Sequence, residues 1–340
     1  MKGVILAAGF GTRLWPLTED RTKPAIPFLN RPLIAYGVEY LVSHGFDDII
    51  INLHHQPESV RDAVGDGSAF GARVTYSQEE EILGTSGALD RVRHLLTDDD
   101  FAVINGKLVT SIDLGAVLGH HRQRGAVATL VLRPNAARER FSMVNIGEGG
   151  KVLGFSGYPE PLEDTSDLSS REATRHAGAE ANPAPLMFTG IQIMSPRILD
   201  YVPRGRFSHS TVDVYPKAIA TGELVLAYIS EADWFEMSTL DRYLEASVTF
   251  LHKQDKTFCA GADTAIADGS TVIDSVLWSH VSVEQGATVI HSVIGDNVTV
   301  AAGMTIKNAV VVRRDLVTNI ERGEIVGDNL IVPLKPVKTS

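Results

Sequence analysis

The stretch that most constrains this chain is its beginning. A short apolar run, Val4-Ile5-Leu6-Ala7-Ala8, stops abruptly in Gly9-Phe10-Gly11-Thr12-Arg13-Leu14, and Lys23-Pro24 follows. The run reads as a buried parallel strand. The glycines after it let the backbone turn sharply and approach a ligand closely, with N–H groups free to point outward, which is how backbones cradle phosphates. Arg13 and Lys23 add fixed positive charge where a triphosphate would lie. A dinucleotide-binding turn is the rival, but Leu14 stands where its third glycine belongs. The next apolar run, Ile49-Ile50-Ile51-Asn52-Leu53, ends in His54-His55 rather than in an acid for a ribose. The P-loop pattern is absent. A glycine-rich strand-to-helix connection can also be only a turn; Arg13 and Lys23 in the same unit tip the reading toward phosphate.

With 340 residues the chain can bury a full core and is expected to hold two domains. A net charge of −11 weighs against nucleic acid as a partner, so basic residues must be concentrated locally to meet phosphates. The single cysteine, Cys259, excludes an internal disulfide and reads as a small apolar residue. No run is long and apolar enough to span a membrane, so no membrane partner is expected. Met1-Lys2 leads straight into the first strand, so no signal peptide is expected and a cytoplasmic location is the default.

Strands and helices alternate over the first 160 residues, which predicts an α/β fold with a Rossmann-like, mostly parallel sheet covered on both faces. Its ligand belongs at the carboxyl ends of the strands, where loops follow Ala8, Gly84 and Ile104. The first domain is expected over 1–255. It carries a polar insertion near 163–185, read as a surface loop or a lid. From about 262 to 335 a six-residue period appears. Leu277, Val283 and Val289 are followed, after a shorter step, by Ile294, Val300 and Ile306. Val281, Ala287, Val298 and Met304 supply a second inward position. This predicts a short parallel β-helix.

Leu6 to Leu14, with Pro16-Leu17-Thr18 and Lys23-Pro24, resembles the signature of the sugar-1-phosphate nucleotidyltransferases, mannose-1-phosphate guanylyltransferases in particular. The resemblance implies transfer of a nucleotidyl group from a nucleoside triphosphate to a sugar 1-phosphate, with Mg²⁺ and release of pyrophosphate. GTP and mannose 1-phosphate are favoured among the substrates. It also implies a left-handed hand for the β-helix and a homo-oligomer formed through it. Arg13 would hold the leaving pyrophosphate and Lys23 the reacting phosphates. Leu6, Ala8, Gly9, Gly11 and Thr12 would cradle the nucleotide. Glu79, Gly84 and Thr85, in Glu79-Glu80-Glu81-Ile82-Leu83-Gly84-Thr85-Ser86-Gly87, would contact base and nucleoside, with Asn105 and Gly106 beside them. Part of the Glu79–Glu81 run can equally be a solvated acidic face. Gly190, Tyr158 and Asp213 fall where the sugar would bind, although Asp213 can equally serve a helix N-terminus.

The chain departs from this pattern where charge matters most. Asn105-Gly106-Lys107 carries lysine in place of an expected metal-binding aspartate, and an ammonium cannot ligate Mg²⁺. Glu236, in Trp234-Phe235-Glu236-Met237-Ser238, keeps the second carboxylate, with Asp113 a further candidate ligand. Tyr158 stands where the pattern has a phosphate-gripping lysine. Three readings stay open: a working transferase, a nucleotide- or nucleotide-sugar-binding regulatory relative, and a Lys107–Glu236 ion pair that closes the site. The pairs His54-His55 and His120-His121 read as strand-end and helix-surface residues, since no His or Cys spacing suggests zinc.

Overall fold

The computed structural model describes residues 1–159 and 184–334. The polar insertion at 163–185 lies outside them but for its last two residues. The first strand, β1 (Lys2–Leu6), shows why the sheet is covered on both faces. Side chains of a strand alternate, and Val4 enters one apolar cluster while Ile5 enters another. β2 (Asp48–Leu53) and β4 (Phe101–Asn105) divide in the same way: Ile50 and Val103 join the first cluster, Ile51 and Ile104 the second. With β3 (Arg73–Gln78), these strands form a parallel sheet in the order β3-β2-β1-β4. Helix α1 (Leu33–Ser43) lays Ile34, Val38 and Leu41 on it and ends before Gly45, whose φ of 80° closes the turn. Helix α2 (Pro57–Val64) and helix α4 (Leu114–Arg124) add Val60 and Val117 to the same side.

Beyond β4 the sheet changes direction. A short β5 (Leu108–Thr110) leaves it, and β6 (Ala128–Pro134), β7 (Met143–Ile146) and β8 (Val152–Ser156) follow in the chain. β9 (Leu186–Met194) then wedges between β4 and β6, antiparallel to both. β10 (Val225–Ile229) runs parallel to β6 at the edge, while β11 (Trp234–Glu236) pairs with β5. The reversal is invisible in an alternation of apolar runs, because direction is set by which neighbour a strand finds. The pairing of β9 with β6 shifts register between Phe188 and Gln192, and Gly190 sits in that irregularity at φ 81°. Helix α3 runs from Gly84 to Arg91, so Gly84 and Gly87 form its first turn.

The β-helix has a longer period than six. Three parallel ladders pair residues 17 apart: Phe258 with Ser275, Ala265 with Ser282 and Thr271 with Thr288. Two six-residue sides and one of five make a coil. Left-handed backbone recurs at the corners with the same step, in Asp263, His280 and Asn297, in Asp274, His291 and Asn308, and in Gly269, Gly286 and Gly303. These are residue types that tolerate positive φ. Inside, fully buried Ser275 and Ser292 form a ladder. Each hydroxyl donates to the carbonyl two residues back and accepts the N–H of the next coil, from Ser292 and Ala309 respectively. A final hairpin, Glu324–Val326 with Asn329–Pro333, covers the last strand.

The β-helix is not tethered by a linker alone. One continuous apolar cluster joins Leu14, Leu17 and Phe28, just after the glycine loop, to Tyr243 and Leu244 of α5 (Leu240–His252) and to Val276, Trp278 and Val310 of the β-helix. Tyr243 donates its hydroxyl to the Pro27 carbonyl and accepts from the Trp278 indole at 3.1 Å. Burial pushes the Cys259 thiol up to about 11, which fits its reading as a small apolar residue. Among the described residues no helix is long and apolar enough to cross a membrane.

Candidate active site

A cavity of about 250 Å³ opens at the carboxyl ends of β1, β2 and β4. Those strand ends contribute Leu6, Asn52 and Asn105 to its wall. The glycine loop adds Ala7, Ala8 and Gly9, the segment before α3 adds Glu79 and Ile82, and α3 itself adds Gly84 and Thr85. Gly106, Lys107, Lys23, Pro24 and His209 complete it. Residues from six separate stretches therefore meet in one place, and most are those singled out from the sequence.

Three of the loop residues do not line the wall. Gly11 is buried beneath the loop at φ 73°, where a Cβ would come within 3.1 Å of Thr18 and 3.2 Å of Lys23. Thr12 and Arg13 are exposed in the turn that follows. Arg13 nonetheless acts on the cavity by charge. The Lys23 ammonium is pushed down to about 8, first by burial and then by the positive charges of Lys107 and Arg13, with Glu236 opposing.

Glu79 is buried and fully engaged. Asn52 Nδ2 donates to one oxygen at 2.7 Å and the Leu83 N–H to the other at 2.9 Å. Asn52 in turn accepts the Ala7 N–H at 2.7 Å. Asn52 thus locks the glycine loop to the Glu79 segment, and a single polar residue ending an apolar strand was its only mark in the sequence. Gly84 and Gly87 are glycines for a reason other than a ligand. Cβ atoms there would meet the Ser208 carbonyl at 2.4 Å and the Arg206 carbonyl at 2.8 Å. The segment they accommodate brings in His209, which sequence reasoning missed. Asp213 accepts the His209 N–H at 2.7 Å and Thr85 accepts the Ser210 N–H at 3.0 Å.

The candidate sugar residues are not gathered. Gly190 is buried, and its missing Cβ leaves room for the Asn105 amide, which would lie 2.1 Å from it. Asp213 positions His209. Tyr158 is exposed, with the Arg140 guanidinium 4.7 Å from its ring centre, and does not line the cavity.

Glu236 is buried in an ion pair with Lys107, and Arg242 lies 3.6 Å from its other oxygen. Burial opposes its charge, yet Lys107, Ser238 and Arg242 together hold the carboxyl below its usual range. Neither oxygen has a well-directed hydrogen bond, so charge contact is what satisfies it. Asp113 caps α4 through the Ala116 N–H and is exposed, away from the cavity. Among the described residues no three His, Cys, Asp or Glu side chains converge as metal ligands. The donor set present does not fit a protein-held Mg²⁺: Glu79 is held by backbone and amide donors, and Glu236, buried behind Lys107, already touches its ammonium.

The family model for nucleotidyl transferases matches residues 2–253. This chain belongs to the nucleotidyl transferase family. A GlmU-like C-terminal hexapeptide model matches residues 250–332, the β-helix. The chain is similar to a UTP–glucose-1-phosphate uridylyltransferase of Synechocystis, with 31% identity over 75% of this chain and 65% of that protein. It is similar to a mannose-1-phosphate guanylyltransferase of Mycobacterium tuberculosis at 28%, over 72% of this chain and 63% of that one. It therefore spans just under two thirds of these relatives. The solved structure of HddC from Yersinia pseudotuberculosis with GMP-PN shares the fold, with a TM-score of 0.59 and 21% identity over 73% of this chain and 99% of that one.

Proposed function

We propose that this nucleotidyl transferase family member moves a nucleotidyl group from a nucleoside triphosphate to a sugar 1-phosphate. A phosphate oxygen of the sugar attacks the α-phosphorus in line, the bond to the β-phosphate breaks, and pyrophosphate leaves with the electron pair. Such a reaction needs positioning and charge neutralisation, with no covalent bond to the protein. The observation that carries the reading is the convergence of the glycine loop, Lys23, Lys107 and the Glu79–Thr85 segment on one cavity at the strand ends.

Lys23 and Lys107 neutralise the reacting phosphates, and Arg13, from the exposed turn, holds the leaving pyrophosphate. Gly9, Asn105 and Gly106 offer the close backbone approach. The base is guanine in this reading. That assignment rests on the form of the Glu79–Gly87 segment, which resembles the guanylyltransferases, and not on the Glu79 carboxylate, whose oxygens already accept from Asn52 and the Leu83 N–H. The favoured sugar is mannose 1-phosphate, as acted on by the guanylyltransferase relatives. Pyrophosphate release, measured for four nucleoside triphosphates against several sugar 1-phosphates, tests this. Turnover led by GTP supports it; turnover led by UTP removes the guanine assignment, and silence across the whole panel removes the transferase.

A further inference from the structure

We propose that Lys107 is a built-in cation of the phosphate site, so that a nucleoside triphosphate binds this chain without a metal ion held by the protein. The inference rests on the nucleotidyl-transfer reading and deepens it. Three observations lead there.

The carboxylates near the cavity are spoken for. Glu79 takes hydrogen bonds from Asn52 and the Leu83 N–H, and Glu236 takes Lys107 and Arg242. Mg²⁺ binds through carboxylate and phosphate oxygens at close range. To reach Glu236 it would have to displace an ammonium or lie against one, and two cations in contact in a buried place repel strongly. Glu236 therefore serves Lys107 and not a metal.

Lys107 still faces the ligand. Its side chain keeps 25% of its exposure and lines the cavity, whereas Glu236 keeps 2%. An ammonium has three donors, and a carboxylate contact on one side leaves others for phosphate oxygens. The buried anion beneath fixes the cation's position, as a second carboxylate would fix a metal.

The surplus charge is positive. Lys107 and Arg13 both act on Lys23, and these three cations outnumber the two buried glutamates, Glu79 and Glu236. A triphosphate completes that balance. This arrangement differs from a shut ion pair, which would leave the site neutral and its lysine buried.

The experiment is calorimetric titration of GTP and UTP into the purified chain, in Mg²⁺ and in EDTA, for the wild type, Lys107→Arg, Lys107→Met and Lys107→Asp. The wild type and Lys107→Arg should bind in EDTA within about threefold of their affinity in Mg²⁺. Lys107→Met should lose about tenfold or more in EDTA, the loss of one charged contact to phosphate. Lys107→Asp should bind only with Mg²⁺. Electron paramagnetic resonance of Mn²⁺, added without nucleotide, reads the same point independently of binding. The wild type should leave the ion free, and Lys107→Asp should bind it beside Glu236. Loss of wild-type binding in EDTA, or protein-bound Mn²⁺ in the wild type, overturns the proposal. Metal-free binding without pyrophosphate release keeps it and removes only the transferase reading; no nucleotide binding under either condition removes both.

Discussion

Arg21 reaches from the segment after the glycine loop to Asp296 of the β-helix, 2.7 Å away, with its guanidinium 5.0 Å from the centre of the Trp278 ring. Both partners are mostly shielded, at 21% and 19% exposure. Arg21 stands two residues before Lys23, so the β-helix braces the loop that carries a cavity lysine. Arg21→Met keeps part of the packing on Trp278 and removes the charge. We expect it to cost about 1.5–3 kcal/mol, the value of a hydrogen bond to a charged group. A lower thermal midpoint, only weakly changed by salt because the pair is shielded, is the outcome to look for in calorimetry. No change would mean that the apolar cluster alone holds the two parts together.

Asn52 holds two loops with one side chain. Asn52→Leu is close in volume but leaves the Ala7 N–H without its partner and the Glu79 carboxylate with one donor fewer, in a place hidden from water. Each such orphan costs about 1–3 kcal/mol. The variant should be less stable and should bind GTP poorly, because the glycine loop and the Glu79 segment are no longer locked together. Asn52→Asp should do worse at neutral pH and recover partly in acid, since it sets a second carboxylate against Glu79. Chemical denaturation and nucleotide titration on the same samples separate the two effects. An Asn52→Leu variant of unchanged stability would show that the loops are held elsewhere.

What could be read ahead of the structure was local. The glycine loop and Lys23 are recognisable because spacing within a few residues sets them, Lys107 because it departs from the pattern the chain resembles, and the strands because both their faces are apolar. Asn52 and His209 lay hidden, since each acts across more than 25 residues of chain: Asn52 on Ala7 and Glu79, His209 on Thr85. Gly84 and Gly190 were visible as glycines but not for their reasons. One admits the Ser208 backbone and the other admits the Asn105 side chain. The β-helix showed its six-residue sides and the shorter step between them; hidden was that corner residues as unlike as Asp, His and Asn share positive φ.

Gly190→Ala tests the second of those glycines. The new Cβ would fall 2.1 Å from the Asn105 amide, on a backbone at φ 81° that an alanine rarely adopts. Asn105 must move or β9 must distort. The expected result is a folded protein with nucleotide affinity reduced by about tenfold and stability lowered by about 1–3 kcal/mol. Asn105→Ala in the same background relieves the clash, so it should restore most of the stability and none of the affinity. A single variant that binds as well as the parent would place Asn105 outside the nucleotide site.

Lys23 gives the site a pH dependence whose sign can be worked out. Its folded-state pKa is lowered to about 8 from an ordinary 10.5. Between these values the unfolded chain holds a proton that the folded chain has released, so this group's contribution makes stability rise with pH from about 8 to 10.5. Binding runs the other way. A triphosphate beside Lys23 favours the charged form and raises its pKa again, so nucleotide binding near pH 8 should take up a fraction of a proton. Affinity should fall as the solution is made more alkaline than that. Calorimetry in buffers of differing ionisation enthalpy measures the uptake directly. Lys23→Met should abolish it and flatten the affinity profile above neutrality, with binding weaker at every pH. Uptake that persists in Lys23→Met would assign the titration to another group, and none in the wild type would mean that the ammonium is already fully charged in the free protein.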